Sequence, residues 1–162
     1  MSQETPISRT QRKKRVLALQ DLGVELVALS DEQLATIELP QALRNAVLEA
    51  RRITRFEARR RQLQYIGKLM RSVDPVPIRA ALDSRQARAR AHTALLKRTE
   101  AWRERLLAEP GALAELHAEY PQADARRLRA LIRNTLRERE AGKPPRSYRA
   151  LFQALRALLD KA

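Results

Sequence analysis

Arg61, Tyr65 and Lys68 stand at spacings of four and three, so a helix carries them on one face with an aromatic ring between two cations. Such a trio suits an unpaired base, which stacks on the ring while the cations neutralise its phosphates. The trio lies within Arg51–Arg71, RRITRFEARRRQLQYIGKLMR, which also holds Arg51, Arg52, Arg55, Arg59, Arg60 and Arg71 but one acid, Glu57. Guanidinium grips paired oxygens bidentately, which favours phosphate over a generic anion. The stretch therefore reads as a nucleic-acid contact that the other helices hold in place. The competing reading of Tyr65 packs its ring on a neighbouring helix, as most aromatics at helical spacing do. Gly67 costs about 1 kcal/mol relative to Ala inside a helix, so something compensates: commonly a crossing helix, otherwise a close nucleic-acid backbone.

Two further basic sets extend the expected contact. Arg12, Lys13, Lys14 and Arg15, with Arg9, read as an arm along phosphates or as a solvated terminus. Downstream, Arg126, Arg129, Arg133 and Arg137 recur at spacings of three and four, and Lys143 and Arg146 flank a Pro-Pro connector. The residues expected to bind RNA are Arg51, Arg55, Arg59, Arg60, Arg61, Tyr65, Lys68 and Arg71, then Arg12, Lys13, Lys14 and Arg15, then Arg126, Arg133, Arg137, Lys143 and Arg146.

Other chemistry finds little footing. There is no cysteine, hence no thiolate nucleophile and no sulfur-held zinc. His92 and His117 lack a second histidine at ligand spacing; His92 reads as a partly buried helix residue. The four glycines are isolated, so no glycine-rich phosphate loop forms. No acid pair has an apolar setting that would tune it for proton transfer. The expectation is no enzyme, no cofactor and no metal. With 33 Lys and Arg against 19 Asp and Glu, the net charge of +14 points to a polyanionic partner.

Few glycines and much Ala, Leu, Arg and Glu predict an all-α chain, with no internal repeat and no alternating strand pattern. Residues 1–15 read as a basic, flexible arm whose basic run enters a first helix, which stops near Gly23. Ser30 and Gln33 fit a capping box opening a short helix to about Leu39. Pro40 opens a long helix to about Ser72, roughly 50 Å at 1.5 Å per residue. Its first stripe is Leu43, Ala46, Ala50, Ile53 and Phe56; Leu63, Ile66 and Met70 lie on a rotated line. Such rotation implies different neighbours at the two ends, or a bend. Opposite the first stripe, Arg44, Arg51, Arg55 and Arg59 form a basic edge.

Asp74-Pro75 opens a third helix to about Glu109, too long for one compact bundle. Helices follow over Ala112–Glu119, from Asp124 to about Ala141, and over about Pro145–Leu159. Trp102 anchors the second core, Leu128, Leu131, Ile132, Thr135 and Leu136 face it, and Tyr148, Leu151, Phe152, Leu155 and Leu159 are buried. The expected fold is an elongated two-lobed helical bundle, lobes 16–90 and 91–162, sharing the long helix 75–109. No apolar run approaches a bilayer's width and no secretory leader is evident, so the expected location is cytoplasmic, with no membrane partner.

The run RRRQLQYIGKLMR at Arg59–Arg71, then Asp74, Pro77, Ile78, Ala81 and Leu82, resembles the YjgA family, also called DarP (dual-action ribosomal maturation protein). LGVELVALS at Leu22–Ser30 and GKPPRSYRALFQ at Gly142–Gln153 match as well, so the resemblance spans nearly the whole chain. It implies an all-helical, two-lobed, non-enzymatic factor of ribosome biogenesis. It implies binding to rRNA of large (50S) subunit precursors late in assembly, among other assembly factors, favouring the fold of the peptidyl transferase centre. The protein is expected to act as a monomer. From the residues alone, a DNA-binding or nucleoid protein and a basic helical adaptor for an acidic protein stay open. Against the former stands the lack of a compact helix-turn-helix with a short polar recognition helix.

Overall fold

The computed structural model describes residues 8–161, and among these the ordered elements are eight α-helices with no strand. The all-α expectation holds. The chain divides into two compact units, one ending at Arg85 and the other starting at Gln86, each with its own apolar core.

In the first unit, α1 (Arg9–Ala28) opens with a capping box: the Ser8 hydroxyl accepts from the Gln11 N–H, and the Gln11 side chain accepts from the Ser8 N–H. The arm expected over residues 1–15 thus starts a helix at Arg9; residues 1–7 lie outside the described residues. The helix does not stop at Gly23. It continues to Ala28, because Gly23 is buried where α4 crosses; a Cβ there would sit 2.7 Å from Ile66 Cγ2. Missing side-chain bulk is what lets the two helices approach, so this glycine serves packing rather than a turn.

A second capping box, Ser30 with Gln33, opens α2 (Asp31–Ala35) as expected, though α2 ends four residues short of Leu39. Its last carbonyls find another donor. The Arg44 guanidinium donates to the Leu34 and Ile37 carbonyls at 3.3 and 2.9 Å, which ties the connection down while Ile37 stays buried.

The long helix expected over Pro40–Ser72 is two helices, α3 (Gln41–Arg52) and α4 (Phe56–Met70). Ile53 and Arg55 leave the helical region for extended backbone (ψ 117° and 125°), at a β-branched pair, Ile53-Thr54, with reduced helix preference. The rotated stripe supplies the reason. A straight helix would carry Ile66 and Met70 away from Leu43 and Val47, whereas the break brings all four into one core with Leu22, Leu26 and Leu34. Gln62 then pins the pair by donating to the Ala46 carbonyl at 3.0 Å. Two residues of the expected stripe are lost to the core: Ile53, half-buried in the break, and Phe56, 76% exposed, which leaves outside most of the about 1.5–3 kcal/mol that burying a Phe yields. Ile78 and Leu82, from the start of α5 (Pro75–Ala108), complete this core, and Asp74 caps α5 by accepting from the Val76 N–H.

In the second unit, the later part of α5 packs with α6 (Ala112–Glu119), α7 (Ala125–Glu140) and α8 (Arg146–Leu159) around Trp102, Leu106, Leu116, Tyr120, Leu128, Leu151, Leu155 and Leu159. Buried Thr99 and Thr135 satisfy their hydroxyls on the carbonyls four residues earlier, Leu95 and Leu131. Gly142, at φ 62°, ends α7 in the left-handed conformation that glycine adopts without strain. Four expected burials are corrected. Leu136 is 39% exposed and His92 is exposed, each on the outer side of its helix; Tyr148 and Phe152 are half-buried beneath Arg103.

Candidate nucleic-acid interface

Helix α4 divides its residues by face. At 3.6 residues per turn, Ile66 and Met70 point into the core with Leu63 and Leu69 beside them, and Gly67 meets Gln20 of α1. Turned outward are Arg60, Arg61, Gln64, Tyr65, Lys68 and Arg71, all exposed. Tyr65 is 48% exposed, on the side that also carries Arg61 and Lys68, so the trio first noted in the sequence stands on the solvent face. Gly67 does face the crossing helix, but an added Cβ would meet Gln20 at 3.6 Å, ordinary contact, so the crossing does not itself demand a glycine there. Half of the Gln62–Arg71 motif builds the unit, through Gln62, Ile66, Gly67 and Met70, and the other half is free to meet a ligand.

The basic edge imagined along one helix comes apart. Arg44 and Arg51 lie on α3, Arg55 lies in the break between the helices, and Arg59 lies on α4. Arg51 is turned inward: it donates to the Val27 carbonyl at 3.2 Å and to the Leu29 carbonyl, and pairs with Asp31. Its side chain is 19% exposed. A cation there meets the negative end of the α1 dipole and supplies donors to carbonyls that lack helical partners. Arg51 therefore holds α1 to α3. Arg55, the residue preceding α4, and Arg59 are exposed, as are Arg12, Lys13, Lys14 and Arg15 on the first turns of α1. Among the described residues the only ion pair made by this set, Arg51 apart, is Arg60 with Glu57 at 3.9 Å, both largely exposed. Such a pair is worth little against a phosphate.

The second unit carries its own surface. Arg126, Arg129, Arg133 and Arg137 line the side of α7 opposite Leu128 and Thr135, over about 16 Å of helix. Lys143 and Arg146, also exposed, follow the end of α7. A row of guanidinium groups at this pitch has the chemistry to follow a phosphate backbone, displacing its counterions.

The aromatic ring that the structure holds between cations is Tyr148. Arg103 of α5 lies 3.7 Å from its centroid and Arg139 of α7 lies 5.2 Å away. The phenol donates to Glu104 at 2.8 Å, and that carboxylate, followed by burial, pushes its pKa up. Arg103 Nε is buried without a hydrogen bond, 3.6 Å from the Glu104 carboxylate. Sequence spacing missed this stack because its members come from three helices. The stack ties α5, α7 and α8 together and leaves the basic row on α7 outside it.

Among the described residues no cluster of three or more His, Asp or Glu is placed to hold a metal ion, and no helix is long and apolar enough to cross a membrane. Comparison with known proteins gives one consistent result. Residues 5–156 match the family described as dual-action ribosomal maturation protein DarP. The protein of that name from Nitrosomonas eutropha is 49% identical over 158 residues, 98% of this chain and 90% of the relative. That of Aromatoleum aromaticum is 50% identical over 153 residues, 94% of this chain and 80% of the relative. The Neisseria meningitidis protein is 48% identical over 154 residues, 95% and 91% respectively.

Proposed function

This chain belongs to the family of the dual-action ribosomal maturation protein DarP, and from that premise we propose that it is a non-enzymatic factor of ribosome biogenesis that binds large-subunit rRNA. Its ligand is the rRNA of 50S precursor particles in the cytoplasm, where it acts as a monomer beside other assembly factors. Its effect is on the late maturation of the peptidyl transferase centre.

The observation that carries this reading is the outward face of α4, where Arg60, Arg61, Tyr65, Lys68 and Arg71 surround one side of a helix whose other side is locked into a core. A rigid row of cations binds best the rRNA conformation that brings phosphates to its spacing. By binding that conformation better than its competitors, the protein raises its population without any bond being made or broken.

The test is co-sedimentation of the chain with 50S precursors across a salt series, compared with a variant in which Arg55, Arg59, Arg61 and Lys68 are all Ala. All four are exposed, so the variant keeps its helicity and melting while binding weakens. Each lost phosphate contact removes roughly 0.7–0.9 from the slope of log affinity against log salt. Failure of the parent to sediment with the precursors at low salt sinks the proposal. Equal affinity for duplex DNA and structured rRNA would favour a nucleoid protein, and a principal complex that survives ribonuclease would favour an acidic protein partner.

A further inference from the structure

The first turns of α4 are bare. None of residues 56–61 is buried, and the break at Ile53–Arg55 leaves Phe56, at 76% exposure, the most exposed of the large apolar side chains among the described residues. Arg59 and Arg60 follow it by three and four residues, so both border the ring on the helix surface. Arg55 precedes it, and Arg52 ends α3 just before the break; both are exposed. Glu57 is the lone acid beside them, and it already pairs loosely with Arg60 at 3.9 Å.

We infer that Phe56 is a base-stacking residue, and that the first turns of α4 take an unpaired nucleotide whose flanking phosphates Arg55, Arg59 and Arg60 neutralise. This rests on the rRNA reading above and narrows it to a residue and to a nucleotide state. The charge around the ring chooses the occupant. An apolar protein pocket closing over Phe56 would strip water from four arginines and offer nothing in return. A nucleic-acid strand supplies anions for the cations and a π face for the ring at the same spacing. A paired base has both faces covered by its neighbours, so the nucleotide is one held out of a helix, as in a loop or bulge. Tyr65 stands on the opposite side of α4, so the two aromatic rings serve different contacts.

Binding of the full chain to two labelled RNAs tests the assignment: a hairpin with a single-stranded loop, and a blunt duplex of the same length. Phe56→Ala and Phe56→Leu should each weaken hairpin binding roughly 5- to 100-fold, the usual effect of deleting a stacking ring. Both should leave duplex binding and the salt slope as in the parent. Phe56→Trp should bind as the parent does, with emission quenched by the hairpin beyond any change seen in the parent, whose one tryptophan, Trp102, is buried. Because Phe56 is exposed, all three variants should melt with the parent. Phe56→Ala binding both RNAs as well as the parent overturns the inference while the rRNA reading stands, provided the parent binds with steep salt dependence. An equal loss on both RNAs, or parental affinity in Phe56→Leu, overturns it too. If the parent binds neither RNA, the rRNA reading falls and takes this inference with it.

Discussion

Two glycines at one helix crossing allow the packing of α1 on α4 to be measured with the helix-propensity contribution cancelled. Gly23 and Gly67 are both interior to helices, so Ala at either position gains about 1 kcal/mol of helix preference. What differs is the space. At Gly67 an added Cβ would meet Gln20 at 3.6 Å, ordinary contact, so Gly67→Ala should stabilise the protein by about 0.5–1 kcal/mol. At Gly23 the same atom would lie 2.7 Å from Ile66 Cγ2, and Ile66 is fully buried with a stiff, β-branched side chain. Overpacking of that kind costs about 1–3 kcal/mol, which offsets the helix gain or exceeds it.

The measurable quantity is the difference between the two variants, about 1–3 kcal/mol in favour of Gly67→Ala, since their propensity gains are equal. Urea unfolding followed by circular dichroism reads it as a separation of midpoints at constant m-value. Heating reads it as roughly 4–8 °C per kcal/mol for a unit of this size. Gly23→Ala with Ile66→Leu, which removes the clashing Cγ2, should recover part of the loss. If Gly23→Ala proves as stable as Gly67→Ala, the close crossing is wrong. Gly67→Ala should also bind RNA as the parent does; a large loss of binding there would instead show an RNA backbone approaching Gly67.

Arg51→Ala should destabilise the protein by about 1–3 kcal/mol in urea, since it strips donors from part-buried carbonyls at the end of α1. Asp31→Ala should change stability by less than about 1 kcal/mol, because the Asp31 side chain is 86% exposed. Glu138 accepts from the Ser147 hydroxyl at 2.7 Å and the Ser147 N–H at 2.9 Å, and these two bonds hold its carboxyl below its ordinary pKa of 4.5. A depressed pKa stabilises the fold above the unfolded value, and that stability is lost as pH falls through the folded one. Glu138→Gln should therefore flatten the acid limb of a stability-versus-pH curve below about pH 4.5 and change little in its slope near neutrality. Arg126, Arg133 and Arg137 changed together to Ala should lower RNA affinity and reduce the salt slope by roughly two to three units with unaltered melting.

Helix content, the Ser30–Gln33 capping box and the Asp74 cap were legible because each is written in adjacent residues; the Ser8–Gln11 box, inside the stretch read as an arm, was not. The shared face of Arg61, Tyr65 and Lys68 was legible too, since it follows from helical pitch, whereas whether the Tyr65 ring packs on a neighbour or stands in solvent was decided only by the fold. The break at Ile53–Arg55 was only half legible. The rotated stripe announced that one straight helix could not serve one core, yet whether the chain bends or breaks depends on Leu22, Leu26 and Leu34, which lie far away in sequence. Gly23 was misread for a related reason. A glycine that stops a helix and one that admits a neighbour look alike until Ile66 is in place.

Charge is where sequence and structure part most, because a cation's role depends on which anion or dipole it finds in the fold. Arg44 and Arg51 share composition, spacing and helix with a basic edge, yet both are turned inward to backbone carbonyls at and just beyond helix ends. Arg103 is likewise engaged on the Tyr148 ring. Removing these three from the basic inventory does not weaken the case for a polyanionic partner. It narrows the case to cations that remain exposed, among them those on the outer side of α4, on the first turns of α1 and along α7. Internal arginines of this kind also make those outer rows rigid: Arg51 ties α1 to the helix that Gln62 pins to α4, and Arg103 fixes the helices beside α7. A rigid row discriminates between rRNA conformations in a way that a flexible basic tail cannot, because only phosphates already at its spacing are bound without further ordering.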